Sequence, residues 1–220
     1  MKKKIKVQEN ELTSLEEAIN KYNFNQLEKS PFSVYELMSY YLDSTDPVYS
    51  SMRKMFTISF EVIDNEIRAM LGHCVDIDTL DPADRNLDKA YSHFRRMNID
   101  SFKIICDELD KFYTKWFETH YKCDFSDMRT DFLQSIADKY CIAKSLYVKA
   151  QLSERVGCDF NRHKILEEYS KAALAYVHVY KLYVQYRKKI RNIKIFSTIR
   201  RGVVGAVAVL SLASGFVSFL

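Results

Sequence analysis

The chain has 220 residues and a net charge of +4 at pH 7, and this length suffices for one sizeable domain and a further segment. The charge is unevenly distributed, because positions 181–220 hold eight lysines and arginines and no acid, which leaves 25 basic against 29 acidic residues in the first 180. A mildly acidic body argues against a nucleic-acid-binding domain. The five cysteines stand singly, without the spacing of a zinc site, so we expect no metal and no cofactor.

Residues that break helices are scarce and sit where helices would begin or end. Two of the three prolines follow an aspartate, at Asp46-Pro47 and Asp81-Pro82, which is the order typical of an N-cap and a first helical position. Before position 202 the only glycines are Gly72 and Gly157, each placed where a helix would end. The scarcity and placement of proline and glycine predict an all-α protein.

Apolar residues at helical spacing predict two short helices followed by four long ones. The predicted helices cover residues 14–22, 33–43, 47–71, 82–121, 127–156 and the chain from 161 onward. The first of them is placed by the capping-box pattern of Ser14 and Glu17. Short connectors favour antiparallel neighbours, so we expect an all-α, antiparallel long-helix bundle.

The last predicted helix runs without a strong breaker into an apolar tail. Residues 203–220 contain no charge and no proline. At about 1.5 Å per residue they extend ~27 Å as a helix, close to the ~30 Å of a bilayer's hydrocarbon core. A basic tract precedes them and is suited to lipid headgroups. It consists of Arg187, Lys188, Lys189, Arg191, Lys194, Arg200 and Arg201.

These features predict a division of the chain into three parts. Residues 1–180 form a cytosolic helical domain for sensing and oligomerisation, 181–201 a basic juxtamembrane helix, and 202–220 a C-terminal transmembrane helix that serves as tail anchor. Because basic residues flank the upstream end of the span, we expect a single-pass protein of the cell inner membrane with a cytoplasmic N-terminus.

Small residues form a stripe along one side of the tail. Ala208, Ser211, Gly215 and Ser218 follow one another at spacings of three, four and three. Such residues let transmembrane helices approach closely and predict self-association into a homo-oligomer, although anchors also contain them merely to lower hydrophobicity.

A cluster of basic side chains falls on one face of the predicted helix 82–121. Lys89, His93, Arg96 and Lys103 recur at helical spacing, with aromatic residues close by. Arginine and lysine on one face predict a site for an anionic ligand, such as a nucleotide or short oligonucleotide. A solvated helix face is the alternative interpretation.

Arg68-Ala-Met-Leu-Gly-His73 resembles the R-x4-6-H signature of HEPN ribonucleases, which are all-α bundles. The resemblance implies that Arg68 and His73 would cleave RNA together. The alternative is an exposed arginine and a histidine favoured by the helix C-terminus. We expect no enzymatic activity.

A helical body, a basic tract and one C-terminal span together resemble the single-span membrane effectors of bacterial anti-phage defence. The resemblance implies a soluble sensing domain that controls an oligomeric membrane element. We therefore expect a membrane effector that homo-oligomerises and forms or gates a pore, with an anionic ligand as its signal. The alternatives are a tail-anchored adaptor or scaffold without a pore and a membrane-tethered HEPN-type ribonuclease.

Overall fold

The computed structural model describes residues 9–22, 34–41, 46–56, 58–77, 85–120, 131–156 and 162–217, with side chains described as far as residue 192. Within these ranges every regular element is an α-helix, which confirms the all-α class. The helices are α1 (Glu9–Asn20), α2 (Val34–Tyr40), α3 (Asp46–Met55), α4 (Glu61–Val75), α5 (Asn86–His120), α6 (Asp131–Val156) and α7 (Arg162–Val217).

Helix α7 lies at the centre of the bundle and packs against α6, α5 and α1, while α4 packs on α5 and α3 on α1. The large side chains that these contacts bury include Tyr113, Tyr169, Tyr176, Phe94 and Phe102. Each fully buried apolar side chain of this size stabilises the fold by roughly 1.5–3 kcal/mol. The apolar stripes of the three longest helices therefore meet in one core, as their spacing predicts.

Contacts between α5 and α6 show that these helices are antiparallel. Lys103 contacts Glu154, Asp107 contacts Tyr147, and Asp110 contacts Tyr140, so the partner's number falls as the α5 number rises. Helices α6 and α7 are also antiparallel, since Tyr169 contacts Glu154 and Tyr186 contacts Phe132. The predicted antiparallel packing of neighbouring long helices is confirmed for these pairs.

Helix α7 is continuous over 56 residues, as the uninterrupted apolar stripe predicts. At about 1.5 Å per residue it is roughly 84 Å long. Its first half is held in the bundle, where Glu16 of α1 accepts hydrogen bonds from His178 and Lys181. No helix among the described residues is long and apolar enough to cross a membrane. The predicted anchor lies outside that description, because side chains are not described from 193 on and residues 218–220 are not described at all.

The predicted start of the first helix at Ser14 is wrong. Helix α1 already begins at Glu9, and the Ser14 hydroxyl donates a hydrogen bond of 3.0 Å to the carbonyl oxygen of Asn10, one turn earlier. A serine inside a helix can bond back in this way instead of capping the N-terminus. The capping-box pattern was therefore a coincidence of composition.

The single helix predicted over 47–71 is also wrong, because the chain breaks into α3 and α4. Phe60, with φ −104° and ψ 21°, stands before α4, and the Ser59 hydroxyl accepts the backbone N–H of Glu61 at 3.3 Å. The break changes the direction of the chain, so that Tyr49 of α3 donates a hydrogen bond to Asp64 of α4. In a continuous helix these two residues would lie about 22 Å apart.

Candidate functional site

The predicted basic face of α5 contacts carboxylates from two other helices. His93 Nδ1 lies 2.6 Å from Glu66 Oε2 on α4, and Arg96 donates its Nε–H to the same oxygen at 3.1 Å. These two predicted ligand-binding residues are thus brought together around one carboxylate. Glu66 is mostly buried, so a second anion at this position would have to compete with it.

The other two predicted ligand-binding residues lie apart from this pair. Lys103 contacts Glu154 of α6 at 2.5 Å and Asp100 of its own helix at 3.9 Å. Burial raises the pKa of Asp100, an effect that the Lys103 ammonium partly opposes. Lys89 is exposed near the start of α5. The face predicted to bind one anion is therefore divided, and three of its four predicted ligand-binding residues already contact acidic side chains.

His73 packs against the same region of α5. Its ring stacks on that of His93 with centroids 5.3 Å apart and planes inclined by 24°. Asn86 donates its amide N–H to the carbonyl oxygen of Asp76 at 2.8 Å, which turns its amide oxygen toward His73 Nδ1 at 3.2 Å. Because an amide oxygen only accepts, the His73 Nδ1–H is the donor of this hydrogen bond.

Arg68 is not part of this histidine cluster. It stands five residues before His73 on α4, which places the two side chains about 140° apart around a helix of 3.6 residues per turn. Arg68 instead lines a cleft between α3 and α4. Within one chain the structure does not bring the arginine and the histidine of the R-x4-H pattern to a common site.

A network of tyrosines and carboxylates, which was not predicted from the sequence, joins α5, α6 and α7. The Asp110 carboxylate accepts hydrogen bonds from Tyr140 at 2.9 Å and from Tyr176 at 2.7 Å. Tyr147 donates to Asp107 and Tyr169 to Glu154, both at 2.5 Å. Since Tyr169 and Tyr176 are fully buried, these bonds satisfy hydroxyls that water does not reach.

The network predicts that stability falls in alkaline solution. Burial, and then the hydrogen bonds to carboxylates, raise the pKa of Tyr147, Tyr169 and Tyr176, and burial raises the pKa of Tyr180 to about 12. In the unfolded chain tyrosine ionises at about pH 10. The unfolded state therefore loses protons first, so the stabilisation is complete below about pH 10 and declines as pH rises further.

Titration of tyrosinate by its ultraviolet absorbance, alongside circular dichroism, measures this effect. We expect the buried tyrosines to ionise only together with loss of helix. Tyr35, which is 82% exposed, supplies the control, because Tyr35→Phe removes a hydroxyl outside the core and should leave the pH at which helix is lost unchanged. Ionisation of all tyrosines with the helices intact would contradict the prediction.

The break between α3 and α4 opens a cleft of about 580 Å³. Arginine, aromatic and acidic side chains line it, among them Arg53, Phe56, Ser59, Phe60, Asp64 and Arg68. The Arg53 guanidinium lies 5.1 Å from the ring centroid of Tyr49 and 5.9 Å from that of Phe60, and its Nη2 contacts Asp64 at 3.2 Å. The prediction of one helix over 47–71 concealed this cleft.

Within the described ranges, no group of three or more histidine, cysteine or acidic side chains is arranged to hold a metal ion. Comparison with known proteins gives no match to a family model, to a curated protein or to a solved structure.

Proposed function

We propose that the protein is a membrane effector whose helical domain, carried on a C-terminal anchor in the cell inner membrane, self-associates and forms or gates a pore. An anionic ligand of the cytosolic domain, such as a nucleotide, acts as its signal. The observation that carries the proposal is the continuity of α7, which extends from the bundle core through the basic tract into the apolar tail.

The placement of the basic tract supports the membrane contact. Ile190 is buried in the bundle, whereas Arg187, Lys188, Lys189 and Arg191 are exposed around it. Lys194, Arg200 and Arg201 continue the tract beyond the described side chains. Each such residue near an anionic bilayer surface contributes about 1 kcal/mol of attraction. The tract would therefore hold the end of the bundle near Ile190 at the lipid headgroups.

The small residues of the tail support self-association. Ala208, Ser211 and Gly215 lie within the helical backbone of α7, with side chains outside the described part, and Ser218 lies outside it altogether. On a helix they share one side, where small residues permit close approach of a second helix. Because α7 is continuous, a change in how it packs in the bundle would also move the tail and alter the contact between the tails of two copies.

Two other functions would need different features. A tail-anchored adaptor needs the span but no contact between spans. A membrane-tethered HEPN-type ribonuclease needs Arg68 and His73 in one site, and the separation of these residues around α4 gives that function less support.

Deletion of residues 203–220 tests the anchor. We expect the truncated chain to move from the membrane to the soluble fraction with its helical content largely unchanged, because Ile190, the last buried residue of α7 among the side chains that the structure describes, lies before the deletion. Fractionation after alkaline carbonate washing and circular dichroism measure the two effects.

A point variant separates loss of the anchor from loss of the chain end. Leu210→Arg places a charge near the middle of the tail, at a cost of about 2.5–3.5 kcal/mol for insertion, and should weaken membrane retention, whereas Leu210→Val should not. A truncated chain that still sediments with membranes after the wash would refute the anchor.

A further inference from the structure

We propose that the cleft between α3 and α4 binds the phosphate group of a small phosphorylated molecule through Arg53 and Arg68. The inference identifies the site of the anionic signal in the proposed function and rests on it to that extent. The cleft volume of about 580 Å³ lies within the roughly 300–1,000 Å³ of small-molecule sites. A nucleotide-sized ligand fits such a volume.

Arg68 has the donors that a phosphate requires. In the part of the chain that the structure describes, no carboxylate oxygen contacts Arg68, although His93, Arg96 and Lys103 each contact one. An exposed guanidinium presents a planar set of N–H donors whose geometry matches two phosphate oxygens. An anion can therefore bind here without displacing one of the protein's own carboxylates.

Arg53 is already oriented toward the same cleft. The Arg53 Nη2 donates a hydrogen bond of 3.2 Å to Asp64, and the rings of Tyr49 and Phe60 lie near the guanidinium. The remaining N–H donors are available, since the guanidinium is 55% exposed. Because these contacts restrict the side chain before binding, less conformational entropy is lost when a ligand binds.

The acidic residues of the cleft indicate which hydrogen-bonding groups a ligand needs besides its phosphate. Asp64 uses both carboxylate oxygens within the protein, one for Tyr49 and the other for Arg53. Glu61 is exposed in the first turn of α4 and can accept hydrogen bonds from a ligand. The Ser59 oxygen accepts the Glu61 N–H, which leaves its hydroxyl proton to donate. A molecule with a phosphate at one end and N–H donors at the other, as in a nucleotide, matches this lining.

Isothermal titration of the full chain in detergent micelles, with AMP and with inorganic pyrophosphate as probes, tests the site. We expect both probes to bind at low salt and Arg68→Gln to weaken binding about tenfold or more, because a charged hydrogen-bonding partner is lost. Arg85→Gln is the matched control, since Arg85 is an exposed arginine outside the cleft, and it should leave the Kd unchanged. Circular dichroism confirms that each variant is folded.

Each outcome decides between the two sites that the sequence and the structure suggest. Loss of binding in Arg68→Gln with retention in Arg96→Gln supports the cleft. Loss in Arg96→Gln alone, or no binding of either probe to the parent chain, overturns the inference. Vesicle leakage is measured separately: binding without leakage under any condition refutes the pore but not the cleft, and leakage without probe binding refutes the cleft but not the pore.

Discussion

Replacing Asp110 with alanine is expected to lower the free energy of unfolding by about 2–4 kcal/mol, because the buried Tyr176 hydroxyl and the partly buried Tyr140 hydroxyl lose their shared acceptor at once. Asp110 receives hydrogen bonds from Tyr140 on α6 and Tyr176 on α7, so one side chain joins three helices. Lys144 lies 3.5 Å from its other oxygen, but that contact is exposed and contributes little. Denaturant unfolding of the full chain, followed by circular dichroism, measures the loss.

Two further variants separate the hydrogen bonds from a general effect of the substitution. Asp138→Ala removes an exposed aspartate from α6 that accepts a hydrogen bond from Gln134, and should change stability by less than about 0.5 kcal/mol. In the Asp110→Ala background, Tyr176→Phe should restore part of the lost stability, since it removes the hydroxyl left without a partner. If the double variant is less stable than Asp110→Ala, the unsatisfied hydroxyl is not the cause.

The long helices of this fold can be predicted from sequence because their signals are local. Apolar residues at helical spacing, with almost no proline or glycine, locate α5, α6 and α7. Helix α6 ends at Val156 and α7 continues without interruption, as the pattern predicts. The break between Met55 and Glu61 could not be predicted in this way, because Phe56 and Phe60 are themselves apolar at helical spacing and hide it. A periodicity argument fails where buried residues keep the helical spacing across a break.

The partners of the charged residues could not be predicted in the same way. The pattern on α5 correctly places His93 and Arg96 near each other, but their carboxylate lies 27 and 30 residues earlier on α4. Lys103 finds its partner 51 residues later on α6. Spacing along one helix carries no information about which residues of another helix face it, so the sequence could not show that Glu66 and Glu154 lie beside the predicted ligand-binding residues.

The tyrosines of α7 had a signal that could have revealed their role. Tyr169 and Tyr176 are seven residues apart, so they share one face of a helix, and Asp107 and Asp110 recur at a helical interval on α5. A buried tyrosine needs an acceptor for its hydroxyl. A row of tyrosines on one long helix and a row of aspartates on another therefore predict a tyrosine–carboxylate network, once it is known that the two helices pack together.

Replacing Gly215 with leucine is expected to abolish any membrane depolarisation that the protein causes when overproduced, while the protein stays in the membrane. Leucine is more hydrophobic than glycine, so insertion should persist or improve, but its side chain blocks the close helix approach that the small stripe permits. Ser211→Leu should act in the same direction. A voltage-sensitive dye reports depolarisation, and fractionation reports membrane retention.

The tail itself supplies the matched control for this variant. Ala213 stands two residues before Gly215, about 200° away around a helix axis, so Ala213→Leu adds similar bulk on the opposite side and should leave depolarisation unchanged. Equal loss in both variants would mean that bulk anywhere in the tail disrupts function, and the small stripe would have no special role. If Gly215→Leu depolarises cells as well as the parent, or if the parent causes no leakage under any signal, the pore proposal fails. A tail-anchored adaptor, which needs the span but no contact between spans, then becomes the better account of α7.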